Sequence, residues 1–139
     1  MAQAFVQKIS EQYPNLRLKQ GKKFTFRPPR TIFYEEKGTG LSLNEYKLSL
    51  LHELGHALLK HRNFPTDAER VKMERAAWER ARELCTECSV DYEEEWVEEH
   101  LDTYRDWLHQ KSLCPVCGLT RYQTMDGEYH CSFCDEYKR

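Results

Sequence analysis

The hydrophobic rhythm of the chain changes several times, and each change marks an element. From Ala2 to Gln12, Phe5, Val6 and Ile9 fall on one face, the spacing of a short amphipathic helix, and Pro14 ends it. Leu16-Arg17-Leu18-Lys19 and Phe24-Thr25-Phe26 alternate, and Thr31-Ile32-Phe33-Tyr34 reads as a third strand. Gln20 to Lys23 and Pro28-Pro29 punctuate them. Three short strands with polar turns predict a small antiparallel sheet, with the proline pair at an edge or a bulge. Gly38-Thr39-Gly40 reads as a loop.

Longer periods follow. Ser42 with Glu45 forms a capping box, so a helix starts near Leu43. Leu50, Leu51, Leu54, Ala57 and Leu58 give it a wide apolar stripe as far as about His61. Asn63 to Thr66 breaks the pattern, and Thr66 or Asp67 caps the next helix. Val71, Glu74, Trp78, Ala81, Cys85 and Cys88 recur at alternating steps of three and four, the inward seam of a helix. Asp91 with Glu94 is a further capping box. The third long helix runs to about Gln110 and turns Val97, Leu101, Tyr104 and Leu108 inward; its acidic first turn suits the helix dipole. Beyond Ser112 the periodicity gives way to Cys, Gly and aromatic residues. The pattern is α+β, with a body over residues 1–111 and a distinct segment over 112–139.

At 139 residues the chain is one domain with a small appendage. Its 40% hydrophobic and 32% charged content is that of a globular protein, with neither a signal peptide nor a membrane-spanning run. The expected compartment is the cytoplasm, where thiols stay reduced, so the six cysteines point to metal ligands or core positions. The net charge of −2 hides a division. Pro14 to Lys37 holds seven Lys/Arg against two acids, and Glu69 to Asp106 holds thirteen acids against six bases. Such runs are ordinarily solvated faces; the alternative is that the basic segment attracts an acidic partner.

The chemistry centres on His52-Glu53-Leu54-Gly55-His56, an H-E-x-x-H motif on the first long helix. Residues four apart share a helix face, so His52 and His56 can hold one Zn²⁺ and Glu53 can act as general base. Catalytic zinc takes three protein ligands and leaves a position for water. At about 100° per residue, His61 lies about 180° from His52 and about 140° from His56, so it cannot join them on the same helix. It reads instead as a C-terminal residue favoured by the dipole. Glu74 sits on the inward seam, where an unpaired carboxylate is costly and a metal resolves the cost. Glu69, Glu79 and Glu83 fall off the seam and read as surface partners of nearby Arg. Glu74 is the expected third ligand.

His52-Glu53-Leu54-Gly55-His56 followed by Glu74-Arg75-Ala76-Ala77-Trp78 resembles a gluzincin. It is similar to the minimal gluzincins and ImmA/IrrE-type peptidases, which carry a Glu ligand on a second "glutamate helix". The resemblance covers roughly residues 1–110. It implies a zincin-like fold (small antiparallel sheet, active-site helix, glutamate helix), a catalytic zinc, and hydrolysis of a peptide or protein substrate. It also implies that Thr31 to Tyr34 is the rim strand that pairs with extended substrate. Many gluzincins place an Asp four residues after the Glu ligand to orient the first His. Here Trp78 stands there, so Asp67 or a backbone carbonyl is the expected orienting group for His52. Tyr92, His100 and Tyr104 are the candidates for an oxyanion donor.

Cys114-Pro-Val-Cys117 and Cys131-Ser-Phe-Cys134 supply a second, structural zinc site: two C-x₂-C knuckles thirteen residues apart. The pattern resembles a zinc ribbon, with strands at Thr120–Thr124 and Glu128–His130, and with metal supplying much of its folding energy. Ser112 to Arg139 holds three basic and four acidic residues. That balance disfavours phosphate binding and favours a protein contact, or a cover over the cleft. Cys85 and Cys88 share the seam with Trp78 and read as core. The sequence thus predicts a cytosolic zinc peptidase with a C-terminal ribbon. The alternatives are a metal-containing regulatory or protein-binding module of phage or toxin–antitoxin type, and a nucleic-acid-associated protein using the basic strands.

Overall fold

Apolar periodicity and local capping account for most of the elements. The computed structural model describes residues 2–36 and 40–137. The predicted loop at Gly38 and Thr39 lies outside the described residues. The class is α+β: α1 (Ala2–Gln12), β1 (Arg17–Gly21), β2 (Thr25–Arg27), β3 (Thr31–Glu35), α2 (Leu43–Leu58), α3 (Asp67–Cys88), α4 (Glu94–Ser112), β4 (Tyr122–Gln123), β5 (Tyr129–His130) and α5 (Ser132–Tyr137). Only α5 was not anticipated. No helix among the described residues is long and apolar enough to cross a membrane.

The chain divides into two units, Met1–Arg62 with Arg75–Glu94, and Asn63–Glu74 with Glu95–Arg139. The division falls inside α3, which is unbroken from Asp67 to Cys88.

In the first unit, α2 is the buried element. Leu48, Leu50, Leu51 and Leu54 are all fully buried, and Phe5, Val6 and Ile9 of α1 are buried with them. Its start is fixed by the predicted capping box. Ser42 Oγ accepts from Glu45 N at 3.0 Å, and Glu45 Oε1 accepts from Ser42 N at 2.9 Å. Tyr46 Oη donates to the Glu35 carbonyl at 2.5 Å, tying α2 to the end of β3.

The sheet is mixed, which corrects the antiparallel expectation. Its order is β1-β3-β2, with β2 antiparallel and β1 parallel to β3. Alternation marks the strands but not their neighbours. Two strand spacings are about 10 Å, and the four steps from Gly21 to Thr25 can span about 13 Å, so the link can pass β3. Fully buried Ile32 then sits centrally, opposite Leu18 on one side and Phe26 on the other. Thr31, Ile32 and Phe33 are therefore paired on both sides, and β3 is not a rim strand open to substrate.

The α3 seam is as read: Trp78, Ala81 and Cys85 are buried, and Val71, Glu74 and Cys88 are partly buried. Thr66 Oγ1 caps the helix, accepting from Glu69 N at 3.3 Å. The predicted box at Asp91 and Glu94 does not cap α4. Asp91 N instead donates to Asn44 Oδ1 at 3.0 Å, and Asn44 Nδ2 donates back to the Asp91 carbonyl at 2.8 Å.

In the second unit, Asp67 is a hub. Its backbone N–H donates to Gln123 Oε1 at 2.6 Å, Tyr129 Oη donates to Asp67 Oδ2 at 2.6 Å, and Lys111 Nζ lies 2.9 Å from the same oxygen. These bonds join the first turn of α3 to the end of α4 and to β4 and β5.

Candidate metal centres

His52, His56 and Glu74 each offer a ligand atom, and the three atoms lie within 4.8 Å of one another. Two imidazoles and a carboxylate are a donor set that suits a divalent ion and leaves a coordination position open. Three devices hold the histidines. Gly55 lets α2 and α3 approach: a Cβ at this position would stand 2.5 Å from the Ala77 carbonyl oxygen. Glycine costs helix stability in mid-helix, and here that cost is offset by close packing.

The second device is Trp78. Its ring, 2% exposed, stacks on His52 with centroids 4.0 Å apart and planes 3° from parallel. Trp78 therefore limits the His52 ring to one plane by stacking. Asp67 Oδ2 is engaged by Tyr129 and Lys111. Glu53 also meets His52, its Oε2 lying 3.0 Å from His52 Nδ1. Glu53 and His56 are both buried.

The third device corrects the reading of His61. The angular separation holds only while the helix continues, and α2 stops at Leu58. Lys60 takes a left-handed φ of 57°, Lys60 N donates to the Ala57 carbonyl and His61 N to the His56 carbonyl. This bond pair is a Schellman turn, and it folds His61 back. The Nδ1 atoms of His56 and His61 are 2.8 Å apart, a hydrogen bond in which one ring donates, and the ring centroids are 5.1 Å apart. A ring nitrogen held in this way fixes the orientation of its imidazole. A lysine in the left-handed position gives no sequence signal, because glycine is the usual marker.

The three suggested oxyanion donors have other contacts. Tyr92 lies under the Arg82 guanidinium at 4.3 Å, and the Arg70 guanidinium is 5.4 Å from the Tyr104 ring. His100 is exposed on α4 and its Nδ1 is 2.8 Å from the Trp96 carbonyl.

Cys114, Cys117, Cys131 and Cys134 form the second group, again with all ligand atoms within 4.8 Å. Cys114 and Cys134 sulfurs are 3.8 Å apart, and Cys117 and Cys131 sulfurs 3.5 Å. A tetrahedron with Zn–S bonds of about 2.3 Å has edges of about 3.8 Å, so the spacing fits. Gly118, at φ 77°, closes the first knuckle by donating its N–H to the Cys114 carbonyl at 2.9 Å. The Cys117 and Val116 amides hold the Cys114 thiol down to about 6, whereas Cys134 is pushed up to about 12 by burial and by the neighbouring thiols, so without a cation the group carries its first thiolate on Cys114.

No protein-family model, curated protein or solved structure matches the chain.

The chemistry of both centres rests on the residues themselves. Cys85 is buried and its thiol is pushed up to about 11 by burial, the behaviour of a core cysteine. Glu79 and Glu83 pair with Arg75 at 3.2 Å and Arg80 at 2.9 Å on the helix surface; Glu69 pairs with Lys72.

Proposed function

We propose that the protein is a zinc-dependent peptidase of minimal gluzincin type, carrying a structural zinc in its ribbon. The observation that carries the proposal is the convergence of His52, His56 and Glu74, with the buried Glu53 beside His52. His52, His56 and Glu74 would hold the catalytic ion, and the four cysteines the structural one. The catalytic ion, when bound, supplies Lewis acidity, acidifying water and polarising a carbonyl. Glu53 does the proton work. Its carboxylate accepts a proton from the attacking water as the C–O bond forms, and delivers it to the amine nitrogen as the C–N bond breaks. Trp78 and His61 keep the two imidazoles in place throughout. The substrate is a peptide or protein.

Glu53→Gln is the test, because it removes the base and preserves size and the ligand set. Wild-type protein should cleave members of a peptide library. The variant should retain its metal content and lose activity by about 100-fold or more. Undiminished turnover in the variant with full metal content refutes the mechanism.

A further inference from the structure

A cavity of about 610 Å³ lies in the first unit beside the proposed centre. Tyr13, Leu16, Arg30, Lys60, His61 and Arg62 are among its lining residues, and no Asp or Glu among the described residues lines it. The size is that of a pocket for a small ligand or a short stretch of peptide. None of His52, His56 and Glu74 lines the cavity, which is linked to His56 through its neighbours. Ala57, also in the lining, follows His56 directly, and His61 is in ring contact with His56. Arg30, Lys60 and Arg62 are exposed, and none is in an ion pair among the described residues.

The end of α2 would ordinarily repel an anion, through its outward-facing carbonyls. Here two of those carbonyls, of His56 and Ala57, are bonded within the turn. Leu59 N donates to Gly55, Lys60 N to Ala57 and His61 N to His56. The turn that blocks the carbonyls also presents Lys60, His61 and Arg62 at the cavity. Three uncompensated cations, two of them guanidinium forks suited to a carboxylate, thus surround a hollow next to a hydrolytic centre.

We infer that this cavity is a specificity subsite for a carboxylate of the peptide substrate, supplied by an acidic side chain or by the C-terminus. The inference rests on the peptidase reading. It gives that reading a substrate class: acidic peptides, or peptides cut close to their free end. Three cations around one hollow suit a single carboxylate. A nucleic-acid strand takes a longer basic track with several stacking rings; Tyr13 and His61 are the rings in this lining, and His61 is engaged with His56.

The test is binding to full-length Glu53→Gln protein, followed by fluorescence anisotropy, alongside turnover by wild type. The probes are a labelled glutamate-containing peptide and its glutamine counterpart, each with a free and an amidated C-terminus. Loss of a carboxylate should weaken binding about tenfold. Weakening on Glu-to-Gln exchange assigns the pocket to a side chain, and weakening on amidation assigns it to the terminus. Arg30→Gln and Arg62→Gln should each erase the preference for the charged probe and leave affinity for the neutral probe unchanged. Both are surface changes that leave the fold intact. Equal affinity for all four probes, or tighter binding of a single-stranded oligonucleotide, overturns the subsite. Turnover by wild type without charge preference would sink the subsite and leave the peptidase reading standing. Charge-dependent binding without turnover would do the reverse.

Discussion

At Gly55 the motif and the packing meet. The H-E-x-x-H pattern specifies nothing at its fourth position, yet a methyl group there would strike the Ala77 carbonyl. Gly55→Ala should destabilise the protein by about 1–3 kcal/mol, measured as a lower urea midpoint. Trp78 has a different role: its ring is the plate on which His52 rests. Trp78→Leu keeps an apolar seam residue but removes the stack. It should weaken metal binding at the histidine site about tenfold, by competition with a chelator. Both roles escape the sequence for the same reason. The seam shows that Trp78 points inward, but only the distance between α2 and α3 shows what it meets. Legibility was high where the constraint was local, as with the two histidines one turn apart and Glu74 on the seam. It failed at His61, where the outcome turned on whether Lys60 would adopt a left-handed φ.

Among the elements, helices were easier to read than strand neighbours. Sixteen residues of α2 repeat one pattern and carry their own cap. The strands of three and five residues say which side chains alternate and nothing about partners. Placing β3 in the middle of the sheet removes it as a substrate rim, so any extended substrate must pair elsewhere. The start of α3 is held by Asp67, and this contact makes a pH prediction. Burial would raise the Asp67 carboxyl, but bonds from Tyr129 and Lys111 and the charges of Lys111 and Arg70 outweigh it. Its pKa lies below the ordinary 3.8. Tyr129, in turn, is pushed up to about 12 by burial and by its bond to Asp67. A depressed carboxyl stabilises the fold fully above its unfolded value and loses that contribution as pH falls through the folded value. Asp67→Asn should therefore cost about 1.5–3 kcal/mol near pH 7. The gap from wild type should close as pH drops below about 3.8 in urea titrations. A gap independent of pH would mean that the carboxylate charge plays no part.

For the whole molecule the account reduces to two donor groups of different kinds. Four thiols at tetrahedral spacing could hold an ion in a closed site, and such an ion would help keep a small segment folded. Two imidazoles and a carboxylate could hold an ion with a position left open, and buried Glu53 lies beside them. The two groups share no ligand, so each ion should be removable without the other. The most direct measurement is the zinc count per chain, by native mass spectrometry, in wild type, His56→Ala and Cys114→Ser. The account expects two, one and one. A single ion in wild type that persists in His56→Ala and vanishes in Cys114→Ser would contradict it, leaving His52, His56 and Glu74 without a metal to serve.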